Sequence, residues 1–515
     1  MISELPSMTS ENFKDYLFRN HRNRLILWIA LAAVVIQFAI FKYFYPYPDF
    51  LPADSFKYLE IAQRNPSIAI HPVGYSRFIR FFSVLTSSAL ALTAFQYLLI
   101  QASGLLMVFT LSYFYQLKKA IQTVLLGFMI FNPLFLYLAN MISSDGYFLA
   151  LSFCWLSLLL WILHQPNREI IIWHTVVVFL AFTVRHNAMV YPVVATLAFI
   201  LSRQPVLRKL AGIGAMVLVC GLFVLYTGNK YKTVTGTWQY APLSGWLTAN
   251  NGIRTYRYVD STQRKPVPAK YKAIDQVMRA YLDSSRRSDS KMPMDVTLFM
   301  YPPELLLGKY RDLRFEKDTI STELKRWATM APLYRAYGMQ LIRQYPKLYV
   351  QHVLWPSVCR YYAPAVGSLM SYNAGADTIT ASATSWFGYK SNKVITRTGD
   401  KEIKMLNAYP VFAGIMNVFM ISFIVCFIAI GGFKQAPGLL NDTIVVVTLL
   451  ILNAELTIFS TLAVLRFMAF PILVSFVFTL LLADRLWDLA LQENEKLIQD
   501  SGEAENQEKR VGVFS

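Results

Sequence analysis

The stretch Leu25-Ile-Leu-Trp-Ile-Ala-Leu-Ala-Ala-Val-Val-Ile-Gln-Phe-Ala-Ile-Phe-Lys-Tyr-Phe-Tyr45 is long enough to cross a hydrocarbon layer of about 30 Å, which takes roughly 20 helical residues. Comparable apolar runs follow near 92–115, 123–141, 147–163, 170–184, 188–202 and 210–227. After a long polar interval they resume near 409–433, 443–462 and 467–484. The whole chain is 55% hydrophobic and 16% charged, with mean hydropathy +0.38, more apolar surface than a soluble core of this size hides. The expected fold is therefore an all-α polytopic membrane protein of about ten transmembrane helices.

Basic residues in short loops set the expected orientation. Lys14, Arg19, Arg22 and Arg24 precede the first run and place the N-terminus in the cytoplasm. Counting forward, Lys118 and Lys119, Arg168, the group Arg203, Arg208 and Lys209, then Lys434 and Arg485 fall on the same side, so both termini are expected to be cytoplasmic. The opposite turn at 142–146 carries no Lys or Arg. The loop 46–80 breaks the rule, because Lys57, Arg64, Arg77 and Arg80 fall outside and something there must reward positive charge. The first run is too long, and lacks the small-residue cleavage site, for a removed signal peptide. Cys154, Cys220 and Cys426 sit in apolar runs and Cys359 stands alone in the polar interval, so no disulfide framework is expected.

Four regions follow. Residues 1–227 form an N-terminal transmembrane module with the outer loop 46–80. Residues 228–408 form a helix-rich extracytoplasmic domain, 409–485 add three helices, and 486–515 are a polar cytoplasmic tail expected to be a short helix followed by disorder. The spacing of Leu333, Tyr337, Leu341, Tyr345, Tyr349 and Val353 is helical. The net charge of +18 is concentrated in 228–408, which holds 27 Lys and Arg against 13 acids. On a membrane-tethered outer domain that excess suits the bilayer's anionic headgroups or phosphate-bearing lipids, and no nucleic-acid partner is expected.

The loop 46–80 holds the first candidate chemistry. Asp54 opens a short amphipathic helix with Phe56, Leu59 and Ala62 on one face, and Lys57, His71, Arg77 and Arg80 lie close in sequence. Such a carboxylate can take the proton of an acceptor hydroxyl, and the cations can hold a departing phosphate. The plain alternative is that Asp54 caps its helix. Asp49, between Pro48 and Pro52, reads as a turn residue. Asp145 lies at the next outer turn, where capping is again the plain alternative. Arg185 lies at the turn between the fifth and sixth runs and Arg466 before the last one. Both are placed either to reach headgroups or to bind a specific phosphate. Glu455 reads as a costly acid inside an apolar run, either functional or paired with a neighbouring helix. His164 and His174 read as structural. No Gly-rich phosphate loop, Cys/His metal spacing or Asp-x-Asp pair is present, so neither a metal nor a cofactor is expected.

Ala53-Asp54-Ser55-Phe56-Lys57-Tyr58-Leu59 followed by His71-Pro72-Val73-Gly74-Tyr75, with Ser144-Asp145-Gly146-Tyr147-Phe148-Leu149, resembles the GT-C glycosyltransferases. The likeness is to the branch of protein O-mannosyltransferases and the lipid A aminoarabinose transferase, and it lies mainly within 1–200. It implies a glycosyltransferase of the cell inner membrane that takes a sugar from a polyprenyl-phosphate donor outside the cytoplasm. It implies Asp54 as catalytic base, Asp145 as a second active-site acid, and His71, Arg185 and Arg466 as contacts to the carrier phosphate. Lys57 and Arg77 join them as expected substrate-binding cations. Val73 stands where that branch has a second Pro, and Ser55 where protein mannosyltransferases have Glu. The Trp-Trp-Asp-Tyr-Gly motif of oligosaccharyltransferases is absent. Asn250 and Asn251 are placed to line a sugar site. Two other classes fit the same layout: a transporter or flippase of an anionic lipid, and a non-catalytic membrane subunit or glycan polymerase.

Overall fold

The computed structural model describes residues 12–52, 54–287, 306–399, 401–460 and 463–511. Regular structure among them is helical, with four isolated β-bridges. Over their described residues the apolar runs are helical, some of them in two segments. Eight are long and apolar enough to cross a membrane: His21–Phe44, Ala89–Tyr115, Lys119–Asn140, Ser144–His164, Val206–Thr235, Tyr409–Ala429, Pro437–Phe459 and Leu465–Gln492. The remaining two are shorter. Arg168–Val184 has 17 residues, rising about 25 Å, and its successor spans His186–Leu201.

Local signals start these helices where the sequence changes character. The side chains of Asn20, Ser88, Asn132, Ser143 and Asn167 each accept a first-turn backbone N–H. Asn132-Pro133 breaks Lys119–Asn140 into two segments, since Pro133 lacks an N–H and fits only a first turn. Gly236, at φ 75°, ends Val206–Thr235 in the left-handed region.

Packing then sorts the helices. The apolar window is 83% buried in Leu465–Gln492 and 72% in Ser144–His164, against 17% in Val206–Thr235 and 22% in His21–Phe44 and Tyr409–Ala429. The first two are thus the centre of the bundle, and the others present Trp28, Ile36, Leu218 and Val425 outward as lipid-facing surface. The described residues of 46–88 and 236–408 lie at the end where Ser144–His164 and the last helix begin.

Residues 228–408, expected as one unit, divide between two cores. Trp246, Tyr256, Ile274, Trp327, Tyr334, Tyr337 and Leu341 build a separate core capped by Ile68 and Tyr231. Within it Leu243–Tyr256 crosses Glu323–Gln344 at backbone contact, and a Cβ on Gly338 would stand 2.3 Å from the Thr248 carbonyl oxygen. Leu369, Tyr372, Ala383, Val394 and Leu406 instead join the core of the membrane bundle. Two further expectations are corrected. Glu455 is exposed, five residues before the end of Pro437–Ser460, because the helix turns that face away from its neighbours. The polar tail continues the last helix to Val511.

Candidate functional site

Four charged groups meet where the two central helices begin. Ser143 caps Ser144–His164 and donates from Oγ to Asp145 Oδ2 at 2.7 Å, holding the acid inward rather than over the helix end. Asp145 accepts a hydrogen bond from Arg185, at the break between the two short helices. Arg466, in the first turn of the last helix, donates one amino group to Asp54 at 2.6 Å and to Asp145 at 3.2 Å. Asp54 thus meets a residue 412 positions away in the chain. Its own helix, Ser55–Arg64, receives no side-chain cap from it. The capping alternative therefore does not describe Asp54, and for Asp145 the cap is Ser143.

Two aspartates face two arginines, so the formal charges balance. His71 Nε2 stands 3.9 Å from Asp54, with its ring centroid 5.0 Å from that of Tyr58. Tyr58 in turn shares a 3.0 Å hydrogen bond with Ser144. Both guanidinium groups lie over the Phe467 ring, Arg466 at 4.3 Å and Arg185 at 4.5 Å, which fixes their planes. The side chain of Asp54 is 19% exposed and that of Asp145 only 1%. Asp54 is thus the acid an incoming molecule can touch. Burial pushes the Asp54 carboxyl up, but the Arg466 and His71 charges and the Arg466 hydrogen bond outweigh it and hold the group below the usual carboxylate range. Arg466 Nε is buried and has no hydrogen-bond partner among the described residues.

Of the residues expected from sequence, Asp54, Asp145, Arg185, Arg466 and His71 converge. Lys57 does not. It pairs with Glu323 at 2.9 Å and Glu60 at 3.6 Å, tying the loop helix to the separate core. Arg77 is also elsewhere, exposed along an open groove of about 500 Å3 that contains none of the cluster. Asn251 donates to the Phe459 carbonyl, fastening the separate core to the end of a membrane helix. Asp49 is corrected outright. It is 2% exposed, bridges to Met141 through its backbone and accepts from the Asn373 backbone N–H at 2.9 Å. Desolvation drives its carboxyl up to about 7, against the opposing Asn373 bond and Arg466 charge. Sequence does not single out Ser143, Tyr58 and Phe467 as site residues, though Tyr58 lies within a quoted motif, Ser143 adjoins one and Phe467 follows Arg466 directly.

Among the described residues no three of His, Cys, Asp and Glu are grouped as a metal site. No protein-family model, curated protein or solved structure matches the chain.

Proposed function

We propose that the chain is a membrane glycosyltransferase that uses a sugar donor linked to a polyprenyl phosphate, with Asp54 as general base. The observation that carries this reading is one partly exposed carboxylate held beside two guanidinium groups at the mouth of a membrane bundle. An acceptor hydroxyl attacks the anomeric carbon and passes its proton to Asp54. The bond from that carbon to the phosphate oxygen breaks, and the leaving phosphate keeps the electron pair beside Arg466 and Arg185. A single displacement of this kind inverts the anomeric centre.

In the resting arrangement Arg466 weakens Asp54 as a base. A donor phosphate offers the same guanidinium a bidentate partner through its amino group and its unpartnered Nε. Exchange of partner frees the Asp54 carboxylate as the donor arrives. Asp145, nearly sealed, remains to hold both arginines and acts as a positioning residue. The loop-rich end is the extracytoplasmic face in this reading, and the cell inner membrane is its location. A transporter calls for ionisable groups at the bilayer midplane, and Glu455, the acid placed inside an apolar run, is exposed near a helix end.

The test is transfer of labelled sugar from a polyprenyl-phosphate donor by protein in proteoliposomes. Asp54→Asn keeps size and the hydrogen bond from Arg466, so turnover should fall by about 10²–10⁴ while expression and elution are unchanged. A folded variant with near-native transfer would overturn the assignment.

A further inference from the structure

The four outer cations of the loop 46–80 are not equivalent. Lys57 pairs with Glu323 and Glu60, and Arg64 with Glu60 at 3.2 Å. That accounts for two of them. Arg80 spends one amino group on the Ala62 and Gln63 carbonyl oxygens, which neutralise no charge. Neither Arg77 nor Arg80 has a carboxylate partner among the described residues. Both line the open groove of about 500 Å3, with Asn65, Ser67, Phe81 and Val84.

The helix bearing them, Gly74–Leu85, lies against the ends of membrane helices. Gly74 meets Thr183 so closely that a Cβ would stand 2.5 Å from its Oγ1. Phe78 stacks on Tyr147 at 4.2 Å, and Phe82 meets Phe95 at a tilt, with centroids 5.4 Å apart. Thr183, Tyr147 and Phe95 belong to the last or early turns of three bundle helices, so this helix sits at the membrane boundary. Its other face is amphipathic along its length. The arginines occupy one part, and Phe81, Val84 and Leu85 follow at 72, 80 and 76% exposure. A helix with that division lies in the interface plane, with its apolar residues among acyl chains and its cations at headgroup level.

We infer that this groove binds an anionic phospholipid of the surrounding bilayer, its phosphate between Arg77 and Arg80 and an acyl chain along Phe81 and Val84. The charge complement, the adjoining apolar surface and the boundary position all call for an amphiphile with a phosphate head. Since no residue of the Asp54 cluster lines the groove, the occupant is a bilayer lipid rather than the sugar donor. This lipid is also what rewards positive charge in a loop where the topology disfavours it. Held there, it anchors the segment that connects His71 to the bundle.

The experiment uses full-length protein reconstituted in nanodiscs containing equal amounts of phosphatidylglycerol and phosphatidylcholine, then gently extracted for native mass spectrometry. Wild type should retain phosphatidylglycerol in preference to phosphatidylcholine. Arg77→Gln/Arg80→Gln should lower that preference about thirtyfold, the worth of losing two arginines at an anionic surface. Lys390→Gln, an exposed charge elsewhere on the outer segment, should leave it unchanged, and so should Asp54→Asn. Phe81→Ser/Val84→Ser, which leaves the arginines in place, should lower total retained lipid. Undiminished phosphatidylglycerol retention by a monodisperse Arg77→Gln/Arg80→Gln protein would overturn the inference. So would added polyprenyl phosphate displacing the phosphatidylglycerol stoichiometrically, which would assign the groove to the donor.

Discussion

The two central helices carry a charged cluster at each end, and the two clusters are built differently. At the loop-rich end Asp145 and Arg466 face Arg185 and Asp54, two charges of each sign, with Asp54 partly exposed. At the far end His164 closes the same helix that Asp145 opens. Its Nε2 lies 2.8 Å from Asp442 Oδ2, which also accepts from Tyr115. Asp442 is wholly buried, and its Oδ1 has no partner among the described residues. Nearby, Lys118 pairs with Asp488 at 2.5 Å. The far cluster pins three helices through one carboxylate oxygen, whereas the near one balances exchangeable partners around an accessible acid. Burial and matched donors make a fastening; exposure and surplus donors make a site.

The largest effect that separates them is expected at Arg466. Arg466→Met leaves the buried Asp145 and its neighbour Asp54 facing one another with only Arg185 and His71 nearby. Stability should fall by about 3–5 kcal/mol and transfer should vanish. Adding Asp54→Asn removes one of the stranded charges, so the double variant should regain part of the stability and none of the activity. Thermal unfolding followed by tryptophan fluorescence, with a transfer assay on the same samples, reads both. A double variant no more stable than Arg466→Met would mean that Asp54 does not depend on Arg466.

Asp442→Ala should show the opposite pattern. Tyr115 and His164 lose their shared acceptor, at a cost of about 2–3 kcal/mol, while transfer per folded molecule stays within twofold or so of wild type. A selective loss of turnover with unchanged unfolding temperature would give the far cluster a functional part that its geometry does not suggest.

The next effect concerns Asp49, beside the near cluster but outside it. Its folded pKa of about 7 lies above the ordinary value of 3.8. A raised carboxyl pKa favours the protonated form in the fold, so its stabilising contribution is complete below pH 4 and is lost as pH rises toward 7. Between pH 5 and 7 this amounts to about 2 kcal/mol. Asp49→Asn mimics the protonated group and can still accept from Asn373, so unfolding temperatures across that window should become flatter than in wild type. Equal slopes would show that Asp49 is ionised in the fold.

The sequence made the apolar helices legible because length and hydropathy are local properties. It also marked Asp54, Asp145, Arg185 and Arg466, since charged groups at the ends of apolar runs stand out. Sequence did not reveal what those charges touch. Lys57 meets Glu323 across 266 positions, Asp49 meets Asn373 across 324, and His164 meets Asp442 across 278. Local pattern holds no information on such pairs. The same blindness hid the division of 228–408, because whether Tyr372 joins the outer core or returns to the loop at Tyr47 depends on that distant contact. Prolines around Asp49 suggest a turn, but its bridge to Met141 and its burial under Asn373 are tertiary facts.

The smallest expected effect sharpens what the near cluster does. Arg185 neutralises Asp145 and lies over Phe467 and Phe148, at 4.5 and 5.6 Å. Arg185→Lys keeps the charge beside Asp145, so the fold should hold and the unfolding temperature should barely move. What is lost is the planar fork, which can face a carboxylate on one edge and a phosphate on the other while resting on an aromatic ring. A lysine has one ammonium for both partners. The donor KM should therefore rise about tenfold with a smaller change in kcat, since the contact forms when donor binds and persists as the phosphate departs. A donor titration at saturating acceptor separates the two parameters. If KM for the donor is unchanged, Arg185 serves only to balance Asp145, and the exchange of carboxylate for phosphate rests on Arg466 alone.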